Sequence, residues 1–358
     1  MTESERTHQS LIAHYKDYPK LQIADLFKYL FQSAFGCEHL VSSQKDAVEY
    51  IKSEHAQMKK GDRALTERLD GDYSRVDLAF LDGGLSAETL GRLFFLSAKK
   101  EVSGREELKE KLSVALTLAE SGELPFPVTE LRGAIDEWQK NDYCAVRHSE
   151  TFRQAYAPAY RVVANKYARF LPVFSKIDAA MKKGSAIIAI EGGSASGKTT
   201  LAGILSEVYD CNVFHMDDFF LRPEQRTPQR FAEVGGNVDR ERFLEEVLTP
   251  LSQNKTVQYR RFDCSTQVIE PPVAVEPKAL TIIEGAYSIH PELSPYYDLS
   301  VFLDISPEYQ RGRILKRNSP QFAERFFGEW IPLELKYFSE TKARDRCDIV
   351  LDIDEIML

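Results

Sequence analysis

The chain has few of the features that mark a secreted scaffold, a membrane protein or a nucleic-acid binder. Its five cysteines (Cys37, Cys144, Cys211, Cys264 and Cys347) are scattered over 358 residues, odd in number and without paired spacing. That excludes a disulfide frame and a zinc-ligand pattern, and it fits a reducing cytoplasm. No apolar run approaches the ~20 residues needed to cross a bilayer. The opening Met-Thr-Glu-Ser-Glu-Arg carries acids and no apolar stretch, so a secretion signal is not expected there. Internal repeats and low-complexity stretches are missing as well. Surplus positive charge is also lacking. Residues 1–183 balance 27 basic against 27 acidic side chains, while residues 184–358 hold 19 and 28, which accounts for the whole net charge of −9. Phosphate backbones need clustered cations, so neither nucleic acid nor a membrane is an expected partner. A local exception is the cluster Arg311, Arg313, Lys316, Arg317 and Arg325.

What is present is ordinary globular composition, with 43% hydrophobic and 28% charged residues, and enough length for two domains. Residues 1–183 read as a mainly α-helical domain. Helical spacing is seen from Leu21, over 45–60, over 89–100 and over 106–119. A strand is expected at 74–81, where Val76, Leu78 and Phe80 alternate. Leu124-Pro-Phe-Pro reads as a loop. A long helix over 161–182 leads to Lys182-Lys183-Gly184, the expected domain boundary. From 184 onward the pattern changes. Strands at 186–190, 211–216, 279–283, 299–304 and 348–352 alternate with helices, notably 239–248 and 307–316, the latter with Ser306 as cap before Pro307. Such alternation predicts an α/β fold with a parallel sheet flanked by helices. Ligands in such sheets sit at the carboxyl ends of strands.

Residues 185–200 read Ser-Ala-Ile-Ile-Ala-Ile-Glu-Gly-Gly-Ser-Ala-Ser-Gly-Lys-Thr-Thr. A β-branched strand runs into a glycine-rich loop, and Leu201, Ile204, Leu205 and Val208 follow at helical spacing. This strand–loop–helix context is the P-loop template. Gly192, Gly193, Ser194, Ala195, Ser196, Gly197, Lys198, Thr199 and Thr200 are the expected cradle for the phosphates of ATP. Backbone N–H groups point inward, Lys198 reaches the outer phosphates, and the Thr199 hydroxyl ligates Mg²⁺. Two acids follow strands at the same sheet end. Asp217, in His215-Met-Asp-Asp-Phe-Phe220, is the candidate general base or metal partner. Glu284, directly after Ala279-Leu-Thr-Ile-Ile, follows the logic of an acid that orients Mg²⁺ or its water.

Gly-Gly-Ser-Ala-Ser-Gly-Lys-Thr-Thr, then Met-Asp-Asp-Phe-Phe, then Ile-Ile-Glu-Gly resembles the uridine kinase and phosphoribulokinase family, with nicotinamide riboside kinases as close relatives. The resemblance covers residues 185–352. It implies a P-loop fold that moves the γ-phosphoryl of Mg-ATP to a small-molecule alcohol, a nucleoside or sugar-like compound. By that resemblance Asp217 matches the catalytic aspartate, Lys198 the phosphate-binding lysine and Thr199 the magnesium-binding hydroxyl. Arg313 and Arg317 lie where relatives carry lid arginines that neutralise developing charge, with Arg325 a further candidate. Asp239 falls where the family places an aspartate on the sugar diol, and it is equally a candidate helix cap. The family's Tyr-Asp-Phe signature is followed by a His that reads the pyrimidine. Here Arg261-Phe-Asp263 is followed by Gln267 at that place, so the core carboxylate is kept and the base reader is not, which counts against uridine. Tyr259, Arg260 and Arg261 either meet an acidic or differently shaped substrate or form a surface strand with solvated arginines. Tyr287 and His290 line the same pocket or pack its loop.

The first half carries no assignable motif. Glu38, His39, Arg75, His148, Arg153 and Arg161 form either a pocket for an acidic ligand or a set of caps and surface ion pairs. Two rival functions follow from a P-loop alone. One is a switch or motor, disfavoured by the lack of an Asn-Lys-x-Asp guanine reader and of a Leu-Ser-Gly-Gly-Gln signature. The other is an ATP-sensing interaction protein, disfavoured by the intact Lys198, Thr199, Asp217 and Glu284.

Overall fold

The apolar spacing that begins at Leu21 folds as the helix Ile23–Phe35, which buries Leu26, Phe27, Leu30, Phe31 and Ala34 on one side. In the computed structural model residues 2–37, 43–58, 64–98 and 104–357 are described. The chain divides into two units, Met1–Ser175 and Lys176–Leu358. The division falls inside the helix Leu171–Met181, ahead of Gly184.

The first unit is built mainly from the helices Glu3–Asp17, Ile23–Phe35, Gln44–Gln57, Ala87–Ser97, Gly104–Glu120 and Val128–Lys140. A small antiparallel sheet accompanies them: β1 (Thr66–Arg68), β2 (Tyr73–Asp77) and β3 (Tyr160–Ala164), in that order. Two expectations are corrected here. The strand expected over 74–81 stops at Asp77, whose carboxylate accepts from Ala79 N at 2.8 Å and turns the chain into a short 3₁₀ helix. The long helix expected over 161–182 is interrupted. Residues 160–164 pair with β2 as β3, and helix resumes only at Asn165–Ala168 and Leu171–Met181. Arg161-Val-Val is β-branched and reads equally well as a strand once an edge is available to pair with.

In the second unit the alternation folds as expected. β4 (Ala186–Gly192), β5 (Cys211–His215), β10 (Leu280–Glu284), β11 (Leu299–Asp304) and β12 (Ile349–Asp352) form one parallel sheet in the order β12-β11-β4-β10-β5. Between β5 and β10 lie two short hairpins that the sequence reading did not anticipate. β6 (Val257–Tyr259) pairs with β9 (Val273–Val275), and β7 (Phe262–Asp263) with β8 (Val268–Ile269). The core on one face joins Phe214, Met216, Phe219, Phe243, Val247, Ile283, Tyr287 and Tyr337. Because β4 is central and its neighbours lie on opposite sides, the loop after β4 sits at the point where the winding reverses, the place where open α/β sheets bind ligands. No described helix is long and apolar enough to cross a membrane.

Candidate active site

The loop between β4 and the helix Lys198–Val208 is tight. Gly192 has φ 150°, Ala195 φ 61° and Gly197 φ 104°. A Cβ on Gly192 would stand 2.6 Å from Leu303 O and 2.9 Å from Ser196 Oγ, so only glycine fits. The helical ladder opens with Leu201 N donating to Gly197 O at 2.9 Å. The N–H groups of Lys198, Thr199 and Thr200 precede it and are the donors a helix start leaves for an anion. Lys198 Nζ is folded onto the loop, donating to Gly192 O at 2.8 Å and Gly193 O at 3.0 Å. These residues fit a polyphosphate. The glycine positions forbid side chains, and the cation is already at the loop.

Register brings the acids to the same edge. Glu284 ends β10 level with Ile190 on one side and His215 on the other. Its Oε1 accepts from Thr199 Oγ1 at 3.1 Å and meets His215 Nδ1 at 2.6 Å. That bond, opposed by burial, raises the His215 imidazole above its usual range. Asp217 follows β5 in the short helix Met216–Phe219. Its residue is solvent-exposed, yet protein crowds the carboxyl enough that desolvation raises it, with Lys198 and Arg317 opposing and Glu284 adding. Asp217, Lys198, Glu284 and His215 therefore share one electrostatic neighbourhood. Among the described residues no group of three His, Cys, Asp or Glu is arranged to hold a metal. A hydroxyl and one or two carboxylates suit Mg²⁺, which usually arrives with phosphate oxygens and keeps several waters.

The arginines separate into three situations. Arg313 NH1 donates to Ala195 O at 3.0 Å and lies against the loop. Arg317 makes its mark through Asp217, as above. Arg325 pairs with Glu329 at 3.3 Å on the surface and lies over the Trp330 ring.

The residues expected on the acceptor side are mostly engaged with their own protein neighbours. Asp239 is buried and caps the helix Arg240–Phe243, accepting from Arg242 N at 3.2 Å and from Arg242 Nε at 3.3 Å. Arg261 donates to Tyr259 OH from Nε at 3.1 Å and from NH2 at 2.9 Å, and its Nε stands 3.5 Å from Asp218. Asp263 closes an exposed turn, accepting from Ser265 N and Oγ and from Thr266 Oγ1. Gln267, at φ 60°, donates from Nε2 to Cys264 O at 2.5 Å within that turn. Tyr287 is buried at φ 72°, beside His290 and Tyr337 around Gly235.

Four residues of the site escaped sequence reading. Glu191, fully buried before Gly192, accepts from Gly192 N at 2.9 Å, Tyr287 N at 3.1 Å, Ile289 N at 3.2 Å and Tyr337 OH at 3.1 Å. Burial pushes its carboxyl up to about 7 against those donors. Glu334, also buried, accepts from Ser194 N at 2.9 Å and Ser194 Oγ at 2.6 Å. Gln310 Nε2 donates to Ser194 O at 2.8 Å. An acid directly after the apolar run Ile187–Ile190 was a visible signal for Glu191. Nothing local marks Glu334, Tyr337 or Gln310, which lie more than a hundred residues from the loop they hold.

In the first unit Arg75 and His148 do come together. Arg75 donates from Nε to Gln32 Oε1 at 2.9 Å and from NH1 to Glu67 Oε2 at 3.0 Å, and stands 4.7 Å from the Tyr160 ring centre. His148 bridges Asp25 Oδ1 at 2.9 Å and Tyr160 OH at 2.7 Å. His14 Nδ1 meets the other oxygen of Glu67 at 2.6 Å. Arg161 belongs elsewhere, paired with Glu54 at 2.7 Å, and Arg153 pairs with Glu150 on the surface. Glu38 and His39 lie outside the described residues.

Residues 187–321 match the family model described as Phosphoribulokinase / Uridine kinase family. A phosphoribulokinase from Synechocystis sp. is 24% identical over 127 residues, which is 34% of this chain. The matched stretch spans 38% of that relative's length. Among solved structures, one from Bacillus stearothermophilus described as a "possible uridine kinase" is 22% identical, with a TM-score of 0.39, over 51% of this chain and 100% of its own. A shikimate kinase from Bacteroides thetaiotaomicron is 15% identical, with a TM-score of 0.25, over 48% of this chain and 88% of its own. The part of the chain that carries the phosphate loop, Asp217 and Glu284 thus contains a segment, residues 187–321, of the phosphoribulokinase and uridine kinase type.

Proposed function

We propose that residues 184–358 form a small-molecule kinase that moves the γ-phosphoryl group of Mg-ATP to a hydroxyl of a nucleoside or sugar-like acceptor. The observation that carries this reading is the convergence of Lys198, Thr199, Glu284 and Asp217 at one sheet edge, with Asp217 the acid that reaches solvent. Bound Mg-ATP supplies the transferable phosphoryl group and the metal charge. Phosphoryl transfer needs positioning and charge neutralisation rather than covalent help from the protein. The loop N–H groups and Lys198 bind and orient the phosphates. Thr199 Oγ1, held by Glu284, is the hydroxyl offered to the metal, and His215 fixes the orientation of Glu284. Asp217 takes the proton from the acceptor hydroxyl. Desolvation raises its carboxyl, and Lys198 opposes that by favouring the ionised form. Arg313 and Arg317 neutralise charge as transfer proceeds.

The acceptor is not read by a histidine in the turn after Asp263, because Gln267 stands there and is turned onto Cys264 O. This supports a sugar-like or differently shaped alcohol over uridine. Asp239, Tyr259, Arg261, Asp263 and Tyr287 remain the proposed acceptor-side residues, with Asp239 acting from its cap position. The test is ADP release from Mg-ATP by the full chain against a panel of nucleosides, sugars and sugar acids. Acceptor-dependent release supports the kinase. Acceptor-independent hydrolysis, or none at all, favours a switch or an ATP-sensing role instead.

A further inference from the structure

We propose that Glu334 is a positioning residue for nucleotide binding, holding the crown of the phosphate loop from the C-terminal helix Ile331–Thr341 through hydrogen bonds to Ser194. The proposal rests on the reading that this loop binds Mg-ATP. Three observations carry it. First, Ser194 is held on every polar group it has. Its N–H and hydroxyl donate to the two oxygens of Glu334, and its carbonyl accepts from Gln310. Glu334 is 5% exposed, so these bonds compete with little water. Second, the next residue, Ala195, sits at φ 61°, a left-handed conformation that a residue with a Cβ adopts at a cost. A loop that depends on such a residue needs its neighbours fixed, and Glu334 supplies that from outside the loop. Third, Tyr337 lies three residues on, on the same helix face. It donates to Glu191, which in turn accepts from Gly192 N. One helix therefore grips the loop at its crown and at its entrance. Both gripping residues lie beyond the segment 187–321 that matches the family model.

The charge of Glu334 is not what the loop gains. A second anion beside a polyphosphate repels it, so the benefit lies in geometry. Glutamine can reproduce that geometry, with its carbonyl accepting from Ser194 N–H and its amide donating to Ser194 Oγ.

The experiment is a titration of the full chain with a fluorescent ATP analogue and Mg²⁺, without acceptor, for wild type, E334Q, E334A, S194A and the double variant S194A/E334A. We expect E334A to weaken binding about tenfold, because a half-buried N–H and hydroxyl lose their partner. E334Q is expected to stay within about twofold of wild type, since both hydrogen bonds persist. S194A is expected to weaken binding about threefold, and the double variant to lose less than the product of the two single losses. Wild-type affinity in E334A, equal losses in E334Q and E334A, or independent losses in the double variant would each overturn the proposal. Should E334A not fold, an S194A chain that binds like wild type overturns it on its own. Because no acceptor is used, failure to find an acceptor bears on phosphoryl transfer and leaves this measurement intact. A wild-type chain that ignores nucleotide overturns both.

Discussion

Both units bury charge, and they arrange it differently. In the first unit His14, Glu67, Arg75, Gln32, Tyr160, His148 and Asp25 form one chain of contacts in which each side chain meets the next. Burial acts to raise Asp25 and Glu67, but the donors around them bring both carboxyls down to about 2. In the second unit the charged groups gather around a loop whose Gly192 and Ser194 N–H groups donate to buried acids, and two of the acids nearby, Glu191 and Asp217, are raised by burial. The first network pairs most of its charges within the protein, leaving Arg75 NH2 and His14 Nε2 buried without a hydrogen-bond partner, while the acids of the second unit gather near one lysine. The difference lies in how the charges are met, chiefly by one another in the first unit and, on the proposed reading, by a ligand in the second.

The sharpest break of this contrast comes from the loop. Lys198→Ala and Asp217→Asn are each expected to lower phosphorylation of the true acceptor by roughly 10²–10⁴-fold. Thermal unfolding should stay within a few degrees of wild type, since neither group fills a core. If Asp217→Asn kept near-normal turnover, the base assignment would fail. The converse change in the first unit is Arg75→Ala. It leaves Glu67, half-buried, with His14 as its remaining partner and should cost about 2–3 kcal/mol of stability, while nucleotide affinity stays unchanged. The two tryptophans separate the readouts, because Trp138 belongs to the first unit and Trp330 to the second. Unfolding followed by Trp138 in a Trp330→Phe background should shift, and unfolding followed by Trp330 in a Trp138→Phe background should not.

The same pair of probes tests an opposite dependence on pH. Burial pushes the His148 imidazole down to about 4, and Asp25 sits at about 2. In each case the unfolded chain binds the proton more readily than the folded one. Stability of the first unit is therefore full above about pH 6.5, falls as His148 is forced to charge between about 6.5 and 4, and falls again as Asp25 is protonated toward 2. Glu191 has the other sign. Its folded carboxyl, at about 7, holds the proton more tightly than the unfolded one. Its contribution is full below about pH 4.5 and is lost as pH rises through 7. Acid titration should thus weaken the Trp138 signal first. A Trp330 signal that only strengthens from pH 5 to 8 would contradict the Glu191 assignment. The smallest expected effects separate the arginines. Arg313→Ala should lower turnover roughly tenfold or more. Arg325→Ala, which breaks a surface pair and a cation–π contact with Trp330, should cost about 1 kcal/mol of stability or less and leave turnover within a factor of two.

Much of the site was legible because its demands are local. The loop needs glycine where a Cβ would strike Leu303 and Ser196, and the glycine is therefore written in the sequence. The acids after β5 and β10 were legible because a parallel sheet brings its strand ends to one edge. Asp239 was legible only as two alternatives, and the fold makes it a helix cap. Arg75 and His148 were picked out as polar residues of one group, yet Arg161, spaced much like them, pairs with Glu54 instead.

The sequence by itself determined the phosphate loop, the five alternating strands and the helical character of the first half. Backbone conformation and hydrophobic period are properties of neighbouring residues, so short windows suffice to express them. Only the tertiary structure decided that residues 160–164 form a strand, that Glu334 and Tyr337 grip a loop about 140 residues earlier, and that burial raises the Glu191 carboxyl. Pairing partners, desolvation and hydrogen bonds across such separations depend on what the folded chain brings near, and no window of sequence contains that.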